Sequence, residues 1–237
     1  MDPTDPVVYS FVVTGCNRLD KEDVSNSNPS TTNYFQINKL FDDFQQFSIN
    51  PNLIVFTGDI VLGYSPDQIV LKNQLEGFKS LLSSKLVAHT ISSQIVILPG
   101  NHEVMPGKNL PANERAEKIF KNSMHAYILG NDGPKANEED GLLTNQDSLS
   151  YSFIDKNFGF VFLNSDPVGK ESTIPYKWLR KVLESQKFKS TTHKFVFTHK
   201  PAFPYNGEDG LVNSFGERDS AWNVLINNQV LALFSSH

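Results

Sequence analysis

The sequence holds one cysteine in 237 residues, which excludes an internal disulfide framework. No apolar run approaches the roughly 20 residues that a membrane span needs. The opening stretch, MDPTDPVVYS, lacks the basic and apolar regions of a signal peptide, although export of a longer precursor stays open. An excess of cations is missing too. The net charge is −5, which excludes a broad basic footprint for nucleic acid or an anionic membrane. Compartment and oligomeric state are not written in this composition.

Phenylalanine is what the chain has in quantity, with 18 copies, a load that implies thick, layered packing. A hydrophobic content of 39% and a charged content of 20% suit a soluble globular protein, and the length suits one large domain. Short β-rich runs alternate with longer helical stretches. Val7–Thr14 reads as the first strand. The polar loop SNSNPSTT (25–32) precedes a helix from about Asn33 to Phe47, whose apolar stripe is Phe35, Leu40, Phe41, Phe44 and Phe47. Leu53–Thr57 and Gln94–Leu98 read as strands, separated by a helix that Ser65-Pro66-Asp67 opens and that reaches about Leu86.

Ala112–Leu129 has helical character, and Gly130–Asp147 reads as a surface loop with a solvated acidic run at 138–140. A hairpin follows, Leu149–Asp155 and Phe158–Asn164 about a Lys156-Asn157 turn. Next come a helix (Pro175–Phe188), a strand (His193–Thr198), a helix (Arg218–Asn228) and a strand (Val230–Phe234). With no repeat, linker or boundary in view, residues 1–237 are read as one domain. Alternation followed by a hairpin predicts an α/β fold of two partly parallel sheets with helices on the outer faces.

Chemistry collects where strands end. Leu53–Thr57 runs into Gly58-Asp59, Gln94–Leu98 into Pro99-Gly100-Asn101-His102-Glu103, His193–Thr198 into His199-Lys200-Pro201, and the last strand into Ser235-Ser236-His237. In a parallel sheet such ends share one edge, where α/β ligand sites form. Asp, Asn and His are oxygen and imidazole donors suited to a transition-metal ion. The first strand ends in VVTGCNRLD and delivers Cys16 and Arg18 to the same place. A lone buried cysteine is most often a small apolar core residue, and its position after a strand-terminal glycine raises the odds that it faces a site. His89, His125 and His193 match no block and read as structural or surface residues.

Together, FTGDI, PGNHE, FTHKPAFP and FSSH, in that order from Phe56 to His237, resemble the calcineurin-like metallophosphoesterase superfamily, including its purple-acid-phosphatase-like branch. The family pattern is Asp-x-His, Gly-Asp, Gly-Asn-His-Asp/Glu, a lone His, then Gly-His-x-His. The resemblance implies a sandwich of two mixed β-sheets flanked by helices in four layers. It also implies phosphomonoester or phosphodiester hydrolysis at two metals (Mn, Fe or Zn), with a metal-bound hydroxide attacking phosphorus in line. By matching position, Asp59 would bridge the metals, Asn101, His199 and His237 would complete the second site, and His102 would stabilise the transition state or protonate the leaving oxygen. Tyr64 is not at the spacing of the purple-phosphatase metal tyrosine, so an iron tyrosinate is not expected.

The first block departs from this pattern. Its Asp position is Cys16, its His position is Arg18, the glycine of the last block is Ser236, and the sequence stops at His237, inside that block. Three readings compete for the first site. Cys16 as thiolate would bind a borderline metal; Asp20 would fold back and replace the lost carboxylate; or Arg18 would fill the space and hold a phosphate oxygen. The third is favoured, with one metal tightly bound and a second weak or absent. The competing function is a catalytically impaired relative that binds a phosphorylated ligand or a protein partner. The loops at 17–32, 104–111, 130–147 and 203–216 would shape the substrate pocket, and nothing in their composition names the substrate.

Overall fold

A computed structural model describes residues 7–19, 34–87, 92–205 and 209–237; Asp20, the 25–32 loop and His89 lie outside them. Strands β1 (Phe11–Thr14), β2 (Leu53–Thr57) and β3 (Gln94–Leu98) form a wholly parallel sheet in that order. The second sheet runs β4 (Tyr151–Asp155), β5 (Phe158–Leu163), β6 (His193–Thr198) and β7 (Ala232–Phe234). Its first pair is an antiparallel hairpin and the remaining pairs are parallel. Lys156 (φ 45°) and Asn157 (φ 69°) both take left-handed backbone in the hairpin turn, the geometry whose twist matches that of the flanking strands.

The helices are α1 (Tyr34–Gln45), α2 (Gln68–Leu82), α3 (Asn101–Val104), α4 (Glu114–Met124), α5 (Tyr176–Glu184), α6 (Gln186–Lys189) and α7 (Glu217–Asn227). Ile54 and Phe56 of β2 pack outward with Phe41, Phe78 and Phe120 of α1, α2 and α4. Leu53 and Val55 point the other way and pack with Tyr151, Phe160, Phe162 and Phe197 of the second sheet. Both faces of β2 are therefore covered, which is why LIVFT is apolar almost throughout. On the far side, Val161, Leu163 and Val196 meet Trp178, Leu179 and Leu183 of α5 and Val224 and Leu225 of α7. The order is helices, sheet, sheet, helices.

Much of the phenylalanine fills the layer between the sheets. Phe162 stacks on Phe197 (4.8 Å, 8°), Phe197 on Phe234 (5.2 Å, 16°), and Phe11 meets Phe160, Phe195, Phe197 and Phe234 edge-on. Each such pair adds about 0.5–1.5 kcal/mol beyond its burial.

Several expected boundaries move. The buried face of α1 is Ile37, Phe41 and Phe44, an i, i+4, i+7 set, while Phe35 lies off that face, Phe47 lies beyond the helix, and both are exposed. Pro66 precedes α2 rather than entering its first turn, because Asp67 caps the helix by accepting from the Ile69 N–H (2.8 Å). Asn113 caps α4 in the same way through Arg115, so that helix starts later than the apolar pattern implied. Ser185, with extended backbone, divides the expected Pro175–Phe188 helix into α5 and α6. The acidic run at 138–140 is not wholly solvated. Asp140 is buried, and its two oxygens accept from the Lys177 and Trp178 N–H groups at the start of α5, where Pro175 offers no cap of its own. Among the described residues no helix is long and apolar enough to cross a membrane.

Candidate metal centre

Two glycines let the loops after β2 and β3 touch. Gly58 takes a φ of +89°, and a Cβ there would lie 2.5 Å from the Gly100 nitrogen. A Cβ on Gly100 would sit 2.3 Å from Asp59 Oδ1. Gly100→Ala should therefore displace the Asp59 carboxylate and cost about 1–3 kcal/mol, the range for overpacking a tight site. Thermal melting checks this, and an unchanged midpoint would show that the loops have slack.

Glu103 ties the same two loops together from beneath. It is fully buried, with Oε2 accepting from the Asp59 and Gly100 N–H groups (2.9 and 2.8 Å) and Oε1 from the Val61 N–H (3.0 Å). Burial, then the charge of Asp59, pushes its carboxyl up to about 8, against the Val61 and Gly100 N–H groups.

Asp59 occupies the centre, buried, with a φ of 51°. Its Oδ1 accepts from the His102 N–H (3.1 Å) and lies 3.2 Å from His199 Nε2. Its Oδ2 accepts from Arg18 Nε (3.1 Å) and lies 3.7 Å from His102 Nε2 and 3.8 Å from Cys16 Sγ. Burial alone would raise its pKa, but His199 and His102 hold the carboxyl well below the usual carboxylate range.

The backbone brings Cys16 and Arg18 there. Beyond β1 the chain continues alongside the Gly58–Leu62 segment, with N–H groups of Cys16, Arg18 and Leu19 donating to Gly58, Asp59 and Ile60 carbonyls. Cys16 and Arg18 both have left-handed backbone (φ 56° and 50°), and Leu19 bridges Val61. Arg18 Nε thus meets Asp59 Oδ2, the oxygen turned away from His199. Burial and then Asp59 push the Cys16 thiol up, only partly offset by Arg18, which disfavours a thiolate there. Burial would lower the Arg18 pKa, but Asp59 reverses this and keeps the guanidinium charged.

Two buried side-chain atoms of the neighbouring residues have no hydrogen-bond partner among the described residues: Asn101 Oδ1 and His199 Nε2. The Nδ1 of His199 is engaged with the Thr57 carbonyl (2.8 Å), so in the neutral ring Nε2 is a bare lone pair facing Asp59 Oδ1. In that form two acceptors 3.2 Å apart repel unless a cation lies beside them; in the protonated ring Nε2–H faces Asp59 Oδ1 instead. Burial lowers the His199 pKa and Asp59 more than reverses this, the same pull that would hold a metal ion. The donor set of Asp59, Asn101 and His199 therefore fits one ion.

His237, expected beside them, has its ring 5.1 Å from that of His199, and its Nε2 lies 3.7 Å from Asp209 Oδ2. Among the described residues no three His, Cys, Asp or Glu side chains are spaced to hold an ion by themselves, so Asn101 is needed in any such set. Arg18, Tyr64, Asn101, His102, Lys200 and His237 line one cleft of about 620 Å³.

Two residues there, Lys200 and Asp209, escaped the motif reading, and a third, Tyr64, entered it only as a metal tyrosine that the spacing does not support. Lys200 is buried and ion-paired with buried Asp166 (2.8 Å) and half-exposed Asp209 (3.0 Å), which also neighbours His237. Its place in HKP was the available signal; Asp209 had none, since its partners are near only in space. Tyr64 stacks on the His102 ring (centroids 3.7 Å) and accepts from Asn101 Nδ2. Burial, then Asp59, pushes the Tyr64 phenol up to about 12, so a protonated ring is favoured.

No curated protein matches the sequence. Among solved structures, the fold is similar to a purple acid phosphatase isolated from yellow lupin (Lupinus luteus) seeds, with a TM-score of 0.62 at 15% identity. That match takes in 97% of this chain and 37% of the lupin chain, so this sequence spans little over a third of that protein. A dimetal phosphatase from Danio rerio matches with a TM-score of 0.59 at 17% identity, over 98% of this chain and 81% of its own. At such identities the likeness is one of fold. The model of the calcineurin-like phosphoesterase family matches residues 13–237, from inside β1 to the last residue, and the chain belongs to that family.

Proposed function

We propose that this chain is a metal-dependent phosphoesterase that holds one metal ion tightly. The observation that carries the reading is two buried atoms without a hydrogen-bond partner among the described residues, Asn101 Oδ1 and His199 Nε2, the latter 3.2 Å from Asp59 Oδ1 and the former on a residue that lines the cleft. Asp59, Asn101 and His199 would hold the ion (Mn, Fe or Zn), with His237 as a further ligand once it turns from Asp209. When bound, such an ion acidifies water and polarises the phosphoryl oxygens.

The remaining steps belong to side chains. Arg18 caps Asp59 Oδ2, the oxygen a second ion would need, and its charge repels that ion while attracting the substrate phosphate. His102 is anchored by Nδ1 on the Leu62 carbonyl (2.5 Å), leaving Nε2 towards Asp59 and the cleft. Burial lowers its pKa despite Asp59, so the resting ring favours the neutral form. A phosphoester anion beside it favours protonation, which readies Nε2 to protonate the leaving oxygen.

Hydrolysis of an aryl phosphodiester with added manganese, zinc or iron tests the reading, with Asn101→Ala as the control. Elemental analysis after manganese loading should give about one ion per chain. Two tightly held ions would overturn the role given to Arg18. Arg18→Ala should raise KM and weaken inhibition by inorganic phosphate while the ion stays bound; release of the ion would assign Arg18 a different role. The second reading, a phosphate-binding protein without turnover, draws on the replaced ligands at Cys16 and Arg18. A folded protein inactive with every metal would favour it.

A further inference from the structure

We infer that Tyr64 is the positioning residue of this centre: it sets which atom Asn101 presents to the ion and holds the plane of the His102 ring. The inference rests on reading Asn101 as a ligand.

Tyr64 is tied at three points, each to the loop after β3. Its N–H donates to the His102 carbonyl (2.9 Å), its hydroxyl oxygen accepts from Asn101 Nδ2, and its ring lies over the His102 imidazole at 3.7 Å and 30°. The backbone is in the left-handed region (φ 46°), where a bulky residue is seldom found without a reason. Gly63 before it makes the approach possible, since a Cβ there would lie 1.8 Å from the His102 carbonyl oxygen. The segment is thus held against His102 by its own shape.

The consequence for Asn101 is chemical. An amide carries a donor and an acceptor that look alike in shape and differ in what they bind. With Nδ2 committed to Tyr64, Oδ1 is turned the other way, buried and without a partner among the described residues. Only oxygen can ligate a cation; an amide turned over would present N–H protons to the ion. The phenol therefore acts on the ion through Asn101. On its other face the ring restrains His102, whose Nδ1 contact with the Leu62 carbonyl fixes one point and leaves rotation about it open. Neither role needs Tyr64 to touch the metal or to ionise.

Tyr64→Phe removes the hydroxyl and keeps the ring. Outer-sphere partners of metal ligands typically change affinity by 10–100-fold, so Tyr64→Phe should weaken Mn²⁺ binding by about 10-fold in calorimetric titration. In an Asn101→Ala background the same change should have no further effect, because the amide it orients is gone. Melting of the metal-free protein should be close to wild type for Tyr64→Phe, which separates positioning from a merely structural role. Tyr64→Asn suits the left-handed backbone but cannot reach Asn101 or cover His102. It should match the loss of Mn²⁺ affinity and also shift the His102 imidazole resonances in nuclear magnetic resonance spectra, which Tyr64→Phe should leave nearly in place.

Wild-type Mn²⁺ affinity in Tyr64→Phe, or an equal loss with and without Asn101, would overturn the inference. Unchanged affinity in Asn101→Ala itself would instead overturn the ligand assignment on which it rests.

Discussion

Asp59→Asn is expected to lower kcat/KM for an aryl phosphodiester by about 10²–10³-fold or more, the scale of losing a principal electrostatic group from an active site. The substitution keeps the shape of the side chain and removes its charge. In one amide orientation an NH₂ faces Arg18 Nε, donor against donor; in the other it faces the His102 N–H and blocks the Oδ1 side. Neither restores a site for a cation between Asp59 and His199. Manganese binding should fall with activity, and full activity in a folded Asp59→Asn protein would remove Asp59 from the chemistry.

A stability signature accompanies that loss. The folded-state pKa of Asp59 lies below its ordinary value of 3.8, so its ionised form stabilises the fold above that value. The contribution is lost as pH falls through the folded-state pKa. Denaturant titrations of the metal-free protein should show the wild type exceeding Asp59→Asn at neutral pH, with the gap closing in acid.

Glu103→Ala should cost about 3–4 kcal/mol, among the larger effects a single substitution produces. The carboxyl oxygens accept from three buried N–H groups, those of Asp59, Val61 and Gly100, and leaving each unpaired costs roughly 1–3 kcal/mol before relaxation or water entry. Glu103→Gln should fall between, because its NH₂ must confront at least one of those donors. The pH dependence has the opposite sign to that of Asp59. The Glu103 pKa is raised from 4.5 to about 8, so the protonated form is favoured by folding, and stability is lost as pH rises across that window. The advantage of the metal-free wild type over Glu103→Gln should therefore narrow between pH 5 and pH 8. A constant gap would show that Glu103 does not titrate there. A change below 1 kcal/mol in Glu103→Ala would show that the loops after β2 and β3 support themselves.

Local pattern was enough for much of the fold. Leu53–Thr57, Gln94–Leu98 and His193–Thr198 appear as strands at the boundaries expected from their β-branched and aromatic runs. The Lys156-Asn157 hairpin was equally plain, since turn geometry depends on adjacent residues. Errors came where a distant partner decides. Asp140 looked solvated because the helix it caps begins 36 residues further on, at Tyr176. Phe35 and Phe47 read as part of the apolar stripe of one helix, whereas Phe35 sits on the far side of α1 from Ile37, Phe41 and Phe44, and Phe47 lies beyond its end at Gln45.

From its sequence alone this protein carries the blocks that resemble its family's motifs, the order of its strand-end loops and the placing of Cys16 and Arg18 just after the first strand. Those are local or linear properties, and spacing preserves them. Only the tertiary structure decided which oxygen of Asp59 each neighbour takes: His199 on Oδ1, Arg18 on Oδ2. It also decided that His237 faces Asp209, and that Tyr64 holds the Asn101 amide. These outcomes depend on the angle at which two loops meet across glycines with no Cβ, a quantity set by the packing of two sheets and written at no single position in the chain.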